Sequence, residues 1–185
     1  MAVRSDSAPL AAVKASAVRN RDVATAVVAA ALVVACFARF GFEPEAFIGA
    51  FFAVVLVALA VIDLERRIIP NRIVLPAAGI VLAARLVFFP DQALTWVLAG
   101  VGAALFFLLP LLVYPSGMGM GDVKLAFLLG AALGGAVLTA LVVGLLSGSL
   151  VALAIIIRGG HAARKQAIAF GPLLALGGLV ALFFT

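Results

Sequence analysis

Cysteine and histidine are almost missing from this sequence, which contains one of each, Cys36 and His161. A single cysteine excludes an internal disulfide and argues against a zinc site built from cysteines. His161 has no nearby companions with which to bind a metal. Cys36 follows Val33-Val34-Ala35, a weak likeness to a lipoprotein processing site, but a small buried thiol in a helix is the favoured interpretation.

Charge is also scarce: 11% of the 185 residues are charged, whereas 66% are hydrophobic. Apolar runs of roughly 17 to 20 residues recur along the chain, each long enough to cross a hydrocarbon core of about 30 Å as a helix. This composition excludes a soluble globular protein and indicates a membrane protein with the lipid bilayer as its main partner. The net charge of +5 does not indicate nucleic-acid binding, because the basic residues stand at the ends of apolar runs.

The apolar runs predict an all-α, polytopic membrane helix bundle of about seven transmembrane helices. Residues 1–22 are expected to be a cytoplasmic tail, and residues 23–185 to form the membrane-embedded domain. Residues 123–157 are apolar for about twice the length of one crossing, which favours two helices with a break at Gly134-Gly135 or a few residues beyond. The other predicted helices are Val23–Phe40, Ala46–Ile62, Ile73–Phe89, Ala93–Tyr114, which Pro110 should kink, and Ile168–Phe184.

The distribution of cations predicts which side of the membrane each connection occupies. With the N-terminus inside, only Arg39 and Arg85 fall outside, and Arg85 is expected to snorkel outward along its alkyl stem. The outer connections instead hold Glu43, Glu45 and Asp91. The inner segments contain Arg4, Lys14, Arg19, Arg21, Arg66, Arg67, Arg72, Lys124, Arg158, Arg164 and Lys165. We therefore expect an N-terminus on the cytoplasmic side.

Two acids stand at the ends of apolar runs, Asp63 and Asp122. An acid at membrane depth is costly and is retained where it is paired or functional. Two predicted crossings separate them, and an even number of crossings returns the chain to its starting side. Both acids are therefore expected at the cytoplasmic face.

Two neighbouring carboxyl groups cannot both ionise cheaply, so one keeps its proton while the other stays charged. An aspartic peptidase uses this state to activate a water molecule and to polarise a peptide carbonyl, with no metal, cofactor or nucleophilic side chain. A Cys–His pair is excluded here because Cys36 and His161 fall on opposite sides of the predicted membrane. The pair Asp63 and Asp122 is the resulting catalytic hypothesis.

Each acid also has a structural interpretation. Asp122 follows Gly117, Gly119 and Gly121, whose backbones can approach an extended peptide closely, but it is equally suited to be a helix N-cap. Asp63 by itself is expected to pair with Arg66 or Arg67, one helical turn on. Lys124 either favours the charged form of Asp122, contacts a substrate or holds a helix end at the membrane surface.

Three segments resemble the type IV prepilin peptidases and the related archaeal preflagellin peptidases. Residues 63–71, which read DLERRIIPN, are similar to the family's first-aspartate motif, and residues 119–124, GMGDVK, to its GxGD motif with a trailing lysine. Residues 169–177, AFGPLLALG, resemble its C-terminal FGP segment. The resemblance implies that Asp63 and Asp122 are catalytic. The residues then expected to bind substrate or shape the site are Gly117, Gly119, Gly121, Lys124, Pro70, Asn71, Phe170, Gly171 and Pro172.

The family resemblance implies a reaction and a place. Such peptidases remove a short basic leader from prepilin-like or pseudopilin substrates at the cytoplasmic face of the inner membrane, just before an apolar helix. Longer members add a zinc-binding, cysteine-containing region and a methyltransferase activity, which is not expected here. The chain looks like the short, peptidase-only branch found with tight-adherence or Flp-type pili. The alternatives are a small proton-coupled carrier that uses both acids as a relay, or a non-catalytic pilus-assembly protein.

Overall fold

A computed structural model of the chain describes residues 7–114, 119–159 and 169–185. Within these ranges the chain is helical and contains no strand, which confirms the predicted all-α class. The helices are α1 (Ser7–Phe40), α2 (Pro44–Arg66), α3 (Asn71–Phe88), α4 (Ala93–Val113), α5 (Met120–Leu133), α6 (Val137–Gly159) and α7 (Gly171–Phe184). Two short 3-10 turns, Pro90–Gln92 and Gly134–Ala136, precede α4 and α6.

Five segments of the described chain are long and apolar enough to cross a membrane, and α7 is a shorter apolar helix. One of the five, Met120–Arg158, contains both α5 and α6, so the arrangement is compatible with the predicted count of about seven. Many large apolar side chains, such as Val87, Leu98 and Leu146, face outward, as expected of helices surrounded by lipid. The chain is a helical membrane protein.

Helix α1 begins at Ser7, earlier than the predicted start at Val23, and Asn20–Phe40 is a membrane-length apolar part of it. The predicted break in the long apolar segment is confirmed at Gly134. Its φ of +56° favours glycine, and a Cβ atom there would lie 2.5 Å from the Trp96 ring. Backbone conformation and close packing thus both require glycine where α5 ends.

The bundle is assembled around α2, which packs against α1, α3 and α7. Helix α4 packs closely on α5, where Gly130 lies against the carbonyl of Ala99, and α6 packs closely on α7, where Gly177 lies against the carbonyl of Ala140. Small residues at such contacts let helix backbones approach in an apolar solvent, where dispersion replaces the hydrophobic effect as the main attraction. The glycines therefore position α5 and α7 relative to the rest of the bundle.

The prediction that Arg85 snorkels outward is wrong. Its side chain is only 7% exposed, and Nε and Nη2 donate hydrogen bonds of 3.1 and 2.8 Å to the carbonyl oxygen of Ala132. The guanidinium also lies 4.3 Å from the centre of the Trp96 ring, and Glu45 is 4.0 Å away. Ala132 is in the last turn of α5, where carbonyl groups lack helical partners. The end of this helix therefore supplies the acceptor that draws Arg85 inward.

Replacing Arg85 by methionine should lower thermal stability in detergent or nanodiscs by about 5 °C, because charge-assisted hydrogen bonds to the end of α5 are lost. Arg39→Met is the matched control, since Arg39 is exposed near the end of α1 and its guanidinium lies over the neighbouring Phe40 ring. Equal melting temperatures for the two variants would contradict the structural role assigned to Arg85.

Candidate active site

Asp63 lies in the last turn of α2 and is 6% exposed. The C-cap residue of α2 is Arg67, whose backbone has a left-handed φ of 54° and whose N–H donates to the carbonyl of Asp63 at 2.8 Å. The carboxylate oxygen Oδ2 accepts a hydrogen bond of 3.0 Å from the backbone N–H of Gly171, at the start of α7. A residue distant in sequence therefore satisfies this buried acid.

The local ion pair that helical spacing suggests for Asp63 is not formed. Among the side chains that the structure describes, from residue 20 onward with the gaps given above, two ion pairs of 4.0 Å or less occur, Arg21–Glu65 and Arg85–Glu45, and neither includes Asp63. Arg66 and Arg67 are exposed, whereas Asp63 faces the bundle interior. The neighbouring acid, Glu65, instead binds Arg21 of α1 at 2.8 Å.

Asp122 is half-buried in the first turn of α5, where Gly119 is the N-cap residue. The Gly119 N–H points at Asp122 Oδ2 with a long separation of 3.4 Å. Asp122 therefore reaches back to the start of its own helix but is not the N-cap. Because glycine has no side chain, the reciprocal half of a capping box is impossible here.

The connection between α2 and α3 brings further predicted residues to the same place. Lys124 Nζ donates a hydrogen bond of 2.7 Å to Asn71 Oδ1, which joins α5 to the start of α3. Ile69 packs where a side chain on Gly121 would stand: a Cβ atom there would lie 2.9 Å from the Ile69 Cβ atom. At Gly119, by contrast, a Cβ atom would meet no atom closer than 3.8 Å. Gly121 is therefore a position of close packing between α5 and the α2–α3 loop, whereas the space beside Gly119 is open.

The FGP segment forms the start of α7. Phe170 is the N-cap residue, its carbonyl accepts two N–H groups at 3.1 Å, and Pro172 occupies the first turn, where its missing N–H is harmless. The Phe170 ring lies 6.1 Å from that of Phe107 and fills the space beside Gly148, where a Cβ atom would lie 2.6 Å from it. These contacts fix the position of the Gly171 N–H group, which donates the hydrogen bond to Asp63.

The structure thus brings the described parts of all three motifs to one end of the bundle, which we call the aspartate end. Asp63 meets the start of α7 through Gly171, and the loop that follows Asp63 meets the start of α5 through the Ile69–Gly121 and Asn71–Lys124 contacts. Gly117 lies outside the described residues. Sequence reasoning did not single out Ile69, Phe107 or Gly148. For Ile69, the only sequence feature that could have indicated a buried position was its apolar side chain within the polar loop 65–72.

Comparison with known proteins explains why these motifs occur together. Residues 50–157, more than half of the chain and including both aspartates, match the profile of the type IV leader peptidase family. The chain belongs to that family. No solved structure matches it.

Curated relatives in the type IV leader peptidase family carry a two-part name. Prepilin leader peptidase/N-methyltransferase of Bacillus subtilis is 32% identical over 87% of this chain and 65% of its own length. The protein of the same name from Aeromonas hydrophila is 36% identical over 70% of this chain and 47% of its own length. The chain thus spans between about half and two thirds of the length of these relatives.

Gly171→Ala should reduce any leader-cleaving activity of the protein by about a hundredfold, because the new Cβ atom would lie 2.7 Å from Asp63 Oδ2 and displace the carboxylate. Cleavage of a prepilin substrate by purified protein is the measurement. Gly79→Ala is the control, since a Cβ atom there meets nothing within 4 Å. If Gly171→Ala retains full activity, the position of Asp63 does not depend on this contact.

The hydrogen bond between Lys124 and Asn71 predicts that their substitutions are not additive. Lys124→Met and Asn71→Leu should each lower the kcat/KM of any leader cleavage by roughly tenfold, and the double variant should be no worse than either single variant. That outcome means that Lys124 acts by joining α5 to α3. An additive loss would mean that Lys124 acts on Asp122 or on the substrate directly.

Proposed function

We propose that this chain is a membrane aspartic endopeptidase that removes the basic leader from prepilin-like proteins at the cytoplasmic face of the inner membrane. The observation that carries the proposal is that buried Asp63 accepts the Gly171 N–H while Ile69, in the loop that follows Asp63, packs on Gly121 beside Asp122, so that the three motifs meet at one end of the bundle. The names of the relatives and the family membership support the same reaction. The excess of cations at the aspartate end supports the cytoplasmic placement.

The chemistry needs one ionised and one protonated aspartate. The ionised carboxylate takes a proton from water, the resulting hydroxide adds to the peptide carbonyl carbon, and the protonated aspartate gives its proton to the carbonyl oxygen. Collapse of the tetrahedral intermediate breaks the C–N bond: the leaving nitrogen takes up a proton from the aspartate that accepted one from water, and the other aspartate takes back a proton from a hydroxyl group of the intermediate as the new C=O bond forms. The pair thus returns to its starting charge, and no metal is needed.

We assign the role of base to Asp63. Its carboxylate receives the shorter N–H bond, 3.0 Å against 3.4 Å at Asp122, and this bond comes from the first turn of α7. Backbone N–H groups at a helix N-terminus stabilise a negative charge. Asp122 is then the member that begins with the proton and donates it to the carbonyl oxygen.

Gly119 is proposed to admit the substrate backbone, since the space beside its Cα atom is open. An extended peptide passing there lies next to Asp122 in the following turn. Gly121 does not share this role, because Ile69 already occupies the corresponding space. Its function is to let the α2–α3 loop rest against α5.

Asp63→Asn and Asp122→Asn should each reduce leader removal by roughly a thousandfold or more, because an asparagine side chain can neither accept a proton from water nor donate one to the carbonyl oxygen. The assay uses purified protein in nanodiscs with a full-length prepilin, and mass spectrometry locates the cleaved bond. Glu65→Gln is the matched control, because this exposed acid lies two residues from Asp63 and pairs only with Arg21 in the described chain.

Glu65→Gln should stay within about twofold of the unaltered protein, as expected for an exposed ion pair. Substantial cleavage by either aspartate variant would contradict the catalytic pair. If the unaltered protein binds a verified prepilin without cleaving it, the non-catalytic alternative replaces the peptidase.

A further inference from the structure

An apolar groove of about 600 Å³ lies between α4 and the start of α6. It exists because α4 packs chiefly on α5 and α6 chiefly on α7, which leaves the facing sides of α4 and α6 apart. Along α4 it extends from Thr95 to Phe106, about 16 Å along the helix axis, or half of a hydrocarbon core. Its lining includes Leu98, Gly102 and Phe106 of α4, and Leu138, Leu141 and Leu145 of α6.

The floor of the groove on α4 is made of small residues. Ala99, Gly102 and Ala103 follow one another at helical spacing, and a Cβ atom on Gly102 would meet nothing within 4 Å. Small residues on one helix allow the backbone of another helix to approach closely within a membrane. The groove is therefore shaped for an apolar helix lying alongside α4.

The inner end of the groove adjoins the aspartate end through a row of aromatic rings. Phe106 lines the groove and lies 5.5 Å from Phe107, which lies 6.1 Å from Phe170. The next residue, Gly171, donates its N–H to Asp63. The inner end of the groove is thus connected to the aspartate end by three packed aromatic rings.

Pro110 adds a polar feature at the inner end. Proline has no N–H to donate to the carbonyl of the residue four positions earlier, here Phe106, and both residues are exposed. The Phe106 carbonyl therefore lacks the intrahelical hydrogen bond that another residue at position 110 would supply.

We propose that this groove binds the apolar transmembrane helix of the substrate and thereby sets the position of the peptide bond at the aspartates. The inference rests on the proposed peptidase function, because the bond to be cleaved stands just before an apolar helix in that reaction. The helix runs along the groove from the aspartate end toward the opposite side of the membrane. The leader and the scissile bond lie past Phe106, toward Asp63 and Asp122.

Gly102→Leu tests the proposal, and Gly79→Leu is its matched control. Both glycines are exposed in the middle of a helix, and at both a Cβ atom meets nothing within 4 Å, so both variants should fold. Each variant is assayed with two substrates: a full-length prepilin, and a short peptide that contains the leader and the cleaved bond but no apolar helix.

Gly102→Leu should lower kcat/KM for the full-length prepilin by about tenfold, because the leucine side chain occupies the space of the bound helix. It should leave cleavage of the short peptide unchanged, and Gly79→Leu should change neither reaction. The proposal is overturned if Gly102→Leu affects both substrates equally or neither, as expected for a groove that holds only lipid. If the unaltered protein cleaves neither substrate, the peptidase function itself fails.

Cross-linking distinguishes the substrate from a second copy of this chain. The buried Cys36 is first replaced by alanine, and then Gly102→Cys or Gly79→Cys introduces a single thiol. A prepilin with one cysteine in its apolar helix should form a disulfide with the Gly102→Cys variant and not with the Gly79→Cys variant. Disulfide-linked dimers of the Gly102→Cys variant that exclude the prepilin would overturn the assignment.

Discussion

The hydrogen bond from the Gly171 N–H to Asp63 is the contact on which the aspartate end depends. A carboxyl group with 6% exposure needs a donor, and this one receives it from the first turn of α7, where backbone N–H groups lack helical partners. This hydrogen bond therefore gives the buried carboxyl group a donor and gives the unpaired N–H group at the start of α7 an acceptor. It also joins α2 to α7, two helices that are separated by most of the chain.

Both aspartates are held by the same physical means. Asp63 faces the N-terminus of α7, and Asp122 stands in the first turn of α5, so each carboxyl group meets the positive end of a helix dipole. This arrangement lets two acids stand at one end of an apolar bundle without a cation paired directly to either one among the described side chains. The cations of this end, among them Arg66 and Lys124, are left to bind elsewhere or to face outward.

The sequence was sufficient to predict the features that depend on composition and local conformation. Apolar lengths predicted the helix class and the break at Gly134, and the parity of crossings placed both acids at one end of the bundle. It could not predict contacts made between distant segments. Local spacing suggested Arg66 or Arg67 as the partner of Asp63, whereas the partner is a backbone N–H of α7. For Arg85, the acceptor at Ala132 exists only because α5 ends beside it.

The two ends of the bundle use polar groups in opposite ways. At the end opposite the aspartates, Arg85 directs Nε and Nη2 at one carbonyl oxygen and packs against Trp96, which fixes the junction of α5 and α6. At the aspartate end, each carboxyl group accepts one hydrogen bond from the described chain, although a carboxylate offers about four acceptor positions. That surplus is what a pair of acids requires if they are to hold and activate water. A purely structural acid would be expected to have more of these positions filled by its own chain.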